Sequence, residues 1–236
     1  MSKKLSALLC GALVSLFMAA GCSKNASTSP KPTRPVTVLL FIDRSGSIVS
    51  FPHGGLEGMQ DTYQCVAQAF MKPILQRLDG VNIVGYDFVN TYDTLFSVTV
   101  DRWEQIRPDV INAVHVPPHL SSEAAGTYYA TMIDQVGSVC KSQPDRDIYV
   151  LILSDGHPDD SWDTISDSAK RFSATSTGNL KFLMVAPVEP DIRLQWREHL
   201  QSCLAPMGTV SIVSSDPSDY QTAITQMLKI ESNGGQ

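Results

Sequence analysis

The run Val36 to Ile42 (VTVLLFI) is apolar along its length and gives way at once to Asp43, Arg44, Ser45, Gly46 and Ser47. A strand with one wet face alternates apolar and polar residues. A continuous run instead reads as a strand buried on both faces, as in parallel sheets covered by helices on either side. The polar pentapeptide then lies at the carboxyl end of that strand, where open α/β sheets bind ligands. Its oxygen side chains at positions i, i+2 and i+4 of a tight turn can converge on one point, and such a set suits a small, hard cation.

The chain beyond this run alternates strands with helices. Val66, Phe70, Ile74 and Leu78 recur every four residues with Ala67, Met71 and Leu75 beside them, which predicts an amphipathic helix that Pro73 is placed to kink. Val81 to Phe88 reads as a strand, 90–93 as a turn, and Leu95 to Val100 as a strand returning antiparallel. Asp101 and Glu104 have capping-box spacing and open a helix toward Val114. A Pro-containing loop follows, in which Val-Pro-Pro between His115 and His119 keeps the two imidazoles off a common helical face. Further helices are expected at about Thr127 to Cys140, Trp162 to Phe172 and Ile192 to Leu204. Strands are expected at Ile148 to Leu153, Phe182 to Val188 and Thr209 to Val213. Asp216 and Pro217 start a last helix whose apolar face is Tyr220, Ala223, Ile224, Met227 and Leu228. The fold class this implies is α/β: a Rossmann-like three-layer α/β/α sandwich around a mostly parallel central sheet with one antiparallel edge strand.

The amino terminus carries an address. Lys3 and Lys4 precede an apolar stretch from Leu5 to Met18, and Ala19, Ala20 and Gly21 lead to Cys22, the layout of a secretory signal. Its ending resembles a bacterial lipobox, with Ala19 where an aliphatic residue is usual. That resemblance implies lipidation of Cys22 and a mature chain tethered to the cell envelope; plain signal cleavage with Cys22 incidental is the alternative. Ser23 after the cysteine is similar to the outer-membrane sorting signal of Gram-negative lipoproteins, which would place the domain in the outer membrane facing the periplasm. Residues 23–35 (SKNASTSPKPTRP) bury too little apolar surface to fold and read as an extended tether. The organisation expected is a signal peptide over 1–22, a tether over 23–35, one domain over 36–231 and a disordered tail over 232–236.

Residues 1–35 hold five of the 18 basic residues and none of the 24 acidic ones, so the folded part has 13 against 24, a net charge of −11. A domain so acidic argues against a nucleic-acid partner, because phosphate contacts need a basic surface. Of five cysteines, Cys10 leaves with the signal and Cys22 carries the lipid. Cys65, Cys140 and Cys203 remain. Cys65 is expected to be buried on the apolar side of its helix, and Cys140 and Cys203 are either a disulfide or two more buried thiols.

In an α/β sheet of this kind Asp155, at the end of the strand Ile148 to Leu153, and Thr127, in the loop entering a helix, reach the rim that holds Asp43. Each residue has a plainer reading alone: Asp155-Gly156 is a common turn dipeptide, Thr127 an ordinary N-cap, and 43–47 a polar turn. Together, in this order, Asp-x-Ser-x-Ser, a distant Gly-Thr step and Asp-Gly after an apolar strand resemble the von Willebrand factor A domain over nearly the whole folded part. The resemblance implies a metal-ion-dependent adhesion site made of Asp43, Ser45, Ser47, Thr127 and Asp155. In that site the three hydroxyls supply oxygens directly or through water, and the two carboxylates hold waters and neutralise charge. It implies Mg²⁺, with Mn²⁺ or Ca²⁺ able to replace it, and a protein partner whose acidic side chain completes the ion's shell. Tyr128, His157 and Asp159 are candidates for a partner rim beside the ion, although His157, Asp159 and Asp160 also read as a solvated loop.

Catalysis finds less support. Asp43 after a strand is similar to the aspartyl nucleophile of haloacid-dehalogenase-like phosphatases, but Ser45 stands where those carry a second Asp. Neither Ser45 nor Ser47 sits in a G-x-S-x-G elbow, and the chain has no Walker loop and no GxGxxG. A binding module without catalysis is therefore the leading expectation. The alternatives are a metal-assisted hydrolase at the same rim and a lipoprotein whose ion is purely structural.

Overall fold

The computed structural model describes residues 34–47, 55–89, 93–118, 126–188 and 194–233. The first strand, β1, is Val36–Ile42, with every residue buried. It is followed by α1 (Gly55–Leu75), β2 (Val81–Asp87), β3 (Thr94–Val100), α2 (Trp103–Val114), α3 (Tyr129–Ser142) and β4 (Asp147–Leu153). Then come α4 (Trp162–Thr175), β5 (Leu180–Val188), α5 (Leu194–Leu204), a 3₁₀ turn (Ala205–Met207), β6 (Val210–Ser214) and α6 (Pro217–Asn233).

The sheet order is β3-β2-β1-β4-β5-β6. β1 pairs parallel with β2 and β4, β4 with β5, and β5 with β6, while β3 runs antiparallel to β2 at the edge. The continuous apolar run is thus a central strand, flanked on both sides by other strands. Its alternate side chains serve two cores. Val36, Val38, Leu40 and Ile42 pack with α1, α2 and α6, and Leu39 and Phe41 pack with α3, α4 and α5. Each such fully buried aliphatic or aromatic side chain contributes roughly 1.5–3 kcal/mol by leaving water.

Several sequence expectations shift in detail. The Asp101/Glu104 capping box is displaced by one residue: the N-cap is Arg102, and Gln105 reaches back so that its Oε1 accepts from the N–H groups of Asp101 (2.8 Å) and Arg102 (3.2 Å). Asp101 instead accepts from the N–H of Gly80 at 2.7 Å, tying the turn before β2 to the end of β3. Cys65 is exposed, because the buried positions of α1 (Met59, Tyr63, Val66, Phe70) leave it on the other side of the helix. Cys140 and Cys203 form no disulfide; both are buried free thiols in the second core. Burial pushes the Cys140 thiol up to about 11. Helix α1 ends at Leu75, so Leu78 reaches the core from the following turn. Helix α6 extends to Asn233, into the stretch expected as a tail. The signal, Cys22, residues 23–33 of the tether, His119, and the turn at 90–92 lie outside the described residues.

Candidate metal centre

Parallel pairing places the carboxyl ends of β1 and β4 side by side, with Ile42 opposite Leu153. The next residue of each strand extends that pairing, as the Asp43 N–H donates to the Leu153 carbonyl at 2.8 Å. Asp43 and Ser154 therefore leave the sheet together. The Asp43 carboxylate is 1 % exposed, and its two oxygens are fully engaged: Oδ1 accepts from the Ser45 N–H (2.8 Å), and Oδ2 accepts from the hydroxyls of Ser154 (2.7 Å) and Thr127 (3.2 Å). The first bond closes an Asx turn that folds the pentapeptide back on itself. In that turn the Ser45 and Ser47 hydroxyl oxygens stand 3.0 Å apart.

Asp155 follows Ser154 and is also buried. Its Oδ1 accepts from the His157 N–H at 2.9 Å, and Gly156, at a φ of 85°, points its own N–H back to the Ser154 hydroxyl at 3.0 Å. That left-handed conformation is open to glycine at no steric cost, which explains Asp-Gly rather than Asp-Xaa at this strand end. Thr127 is positioned from a second direction. The Asp159 carboxylate accepts from its N–H at 2.6 Å, and its carbonyl accepts from the Asp159 N–H at 2.9 Å. Asp160 accepts from the Ala130 N–H at 2.9 Å in the first turn of α3, where an anion meets unpaired N–H groups and the positive helix end. Asp159 is exposed, yet one of its oxygens is thus used to fix the Thr127 loop. His157 is exposed, with its ring 4.5 Å from that of Trp196, and Tyr128 is the half-buried N-cap of α3.

The electrostatics follow from burial. Desolvation first, and then the charge of Asp155, push the Asp43 carboxyl up to about 7, against the opposing pull of hydrogen bonds from Ser154 and Ser45. Tyr63 of α1, 2 % exposed, is raised well above its ordinary value by burial and by the charges of Asp43 and Asp155. Arg44 lies next in sequence but does not relieve this charge, because its guanidinium pairs with Asp87 at the end of β2. Among the described residues no ion pair engages Asp43 or Asp155. Two buried carboxylates repelling one another beside three hydroxyls form an oxygen-only donor set that fits a hard divalent cation.

The structure thus brings Asp43, Ser45, Ser47 and Thr127 into one hydrogen-bonded group and sets Asp155 beside it. Three participants escape the sequence reading. Ser154 was legible only as the residue before Asp155, though the pairing of two parallel strand ends signals that it faces Asp43. The Arg44–Asp87 pair and Tyr63 depend on neighbours far away in the chain.

Among solved structures, the chain is similar to the pilus adhesin SpaC from Lactobacillus rhamnosus GG, at 14% identity and a TM-score of 0.60, covering 85% of this chain and 31% of that one. It is also similar to the PilB minor pilin from Streptococcus sanguinis, at 13% identity and a TM-score of 0.55, covering 85% and 62%. A third similarity is to proximal thread matrix protein 1 from the mussel byssus, at 13% identity and a TM-score of 0.51, covering 86% and 47%. The fold is that of a von Willebrand factor A domain. The rim at the ends of β1 and β4 is the part of this A-type fold that bears on the site. No protein-family profile and no curated protein matches the sequence. The chain spans less than two thirds of the length of each of the three structures named.

Proposed function

We propose that this A-type domain is a non-catalytic binding module that engages an acidic group of a protein partner through a divalent cation held at the rim. One observation carries the reading: Asp43 and Asp155 are both buried and set against one another, and among the described residues no cationic side chain is paired to either. Asp43, Ser45, Ser47, Thr127 and Asp155 would hold the ion, Mg²⁺ or in its place Mn²⁺ or Ca²⁺. When bound, it supplies a Lewis-acidic position at which a partner's carboxylate can complete the coordination shell. The chain's own contribution is to pre-position the donors. Ser154 and the Ser45 N–H orient Asp43, and Asp159 holds the Thr127 loop. Adhesion is favoured by the likeness to a pilus adhesin and a minor pilin.

On the same reading Cys22 carries a lipid, residues 23–35 are the tether, and the domain is displayed from a bacterial cell envelope, at the outer membrane facing the periplasm in a Gram-negative cell. Tyr128 and His157 border the ion on the partner's side. Calorimetry of chelated protein with MgCl₂ tests the metal, and Asp43→Ala should remove the binding heat; an unchanged heat in that variant refutes the site. Crosslinking pull-down from native envelopes with and without chelator tests the partner, which should be captured only with metal present. Metal-dependent turnover of ester or phosphate substrates that is lost in Ser45→Ala would favour a hydrolase instead.

A further inference from the structure

The folded part is strongly acidic, yet several of its cations lie at one end of the strand axis. Where the parallel strands begin and the helices end lie Lys72 in the last turn of α1, Lys141 in the last turn of α3, Arg146, Arg171 near the end of α4, and Lys181 at the start of β5. The candidate metal centre occupies the opposite end. Favourable placement of cations at helix carboxyl ends accounts for Lys72 and Lys141 individually. It does not account for the cleft that two of these residues share.

Between α3 and α4 is a cleft of about 460 Å³. Ile133, Gly137 and Phe172 form its floor, where a Cβ at residue 137 would meet Cδ2 of Phe172 at 3.4 Å, an ordinary van der Waals contact, and a larger side chain would extend into the cleft. Lys141 rises from the α3 wall and Arg171 from the α4 wall, both exposed, and neither forms an ion pair among the described residues. Arg171 spends one N–H on the Ser168 hydroxyl at 2.8 Å. Ser138 adds a hydroxyl to the lip, and Asp134 is the one acidic side chain of the lining. Two cations on facing walls, a hydroxyl and an apolar floor match a phosphate ester that carries an apolar body; inorganic phosphate would leave the floor unused. The chain also enters the domain at this end. The Arg34 guanidinium is bonded to the carbonyls of Pro144 and Asp145, in the loop that follows α3.

We infer that the α3–α4 cleft receives the phosphate headgroup of an anionic phospholipid, seating this end of the domain on the bilayer while the Asp43/Asp155 rim faces away from it. The inference rests on the membrane-tether reading above and is independent of the metal. It is tested with the full chain in phosphatidylcholine vesicles with and without phosphatidylglycerol, by measuring labelling of Lys141 with an amine reagent. Labelling should fall several-fold with phosphatidylglycerol, in chelator as in Mg²⁺. The fall should vanish in Arg171→Gln and in Gly137→Leu, which fills the floor without changing charge; far-UV circular dichroism confirms that each variant is folded. Equal labelling in the two vesicle types overturns the inference. So does equal protection by inorganic phosphate alone, which makes free phosphate the ligand. Protection of Lys72 and Lys229 alongside Lys141 that Gly137→Leu leaves intact also overturns it, because it reports diffuse electrostatic adsorption without a cleft. If Cys22→Ser does not release the chain from detergent, the anchor reading fails instead. Titration with soluble dihexanoyl-phosphatidylglycerol then reads the cleft alone by the same labelling.

Discussion

Asp43 concentrates the physical tension of the site. A buried carboxyl held at about 7 keeps a proton that the unfolded chain, with its ordinary value of 3.8, gives up well below neutrality. Between these values the folded state binds the extra proton, so metal-free protein gains stability as pH falls from 7 toward 4 and loses it as pH rises through 7. We expect the melting temperature of chelated wild type, relative to Asp43→Asn, to climb as pH is lowered from about 7.5 to about 5, and saturating Mg²⁺ to flatten that climb by favouring the charged carboxylate. Parallel pH curves for the two proteins in chelator would refute it. Ser154 is the principal side-chain donor to this carboxylate, and Ser154→Ala should cost about 1–3 kcal/mol in urea unfolding while weakening Mg²⁺ binding in calorimetry. Cys65 should alkylate readily in the folded protein, whereas Cys140 and Cys203 react only on unfolding; a Cys140–Cys203 crosslink found by peptide mapping would contradict the two free thiols. The five candidate oxygen side chains could be placed at the rim from sequence because each sits next to a strand end or loop that patterning locates. Ser154 was not, since its role depends on which strand lies beside β1.

The edge hairpin shows how one glycine fits a strand. Gly85 of β2 pairs with Phe96 of β3, and a Cβ at Gly85 would lie 2.4 Å from Cε1 of the Phe96 ring. The ring covers the bare backbone, so the close approach needs glycine there. Gly85→Ala should destabilise the domain by about 1–3 kcal/mol through overpacking. Adding Phe96→Ala to it should be less than additive in chemical unfolding, because the clash goes with the ring. Element types were readable throughout: continuous apolar runs became the parallel strands, and period-3.6 stripes became the helices packed on them. Boundaries and caps were less so. At α2 the reciprocal partner is Gln105 where Glu104 had the expected spacing, because the chain enters one residue later and Asp101 is drawn away to Gly80. Cys65 was misplaced because, next in sequence to the buried Val66, it projects to the side of α1 away from the buried stripe.

For the domain as one unit, metal binding should act as a ligand for the folded state only. At about 100-fold excess over Kd, Mg²⁺ should add about 2.7 kcal/mol, which for a domain of this size raises Tm by roughly 5–10 °C. Thermal unfolding with and without chelator measures it, and an unchanged Tm would count against a site that orders the Asp43 turn. The sequence alone established a three-layer α/β domain, its strand ends and the oxygen residues placed on them, because burial periodicity and turn chemistry are local. Only the three-dimensional arrangement established that Asp43 and Ser154 leave neighbouring strands together, that Arg44 turns to Asp87 and leaves two carboxylates facing each other, and that Lys141 and Arg171 share one cleft. Those are relations between residues from 30 to more than 100 positions apart. They are fixed by strand order and helix packing, which no local pattern in the chain encodes.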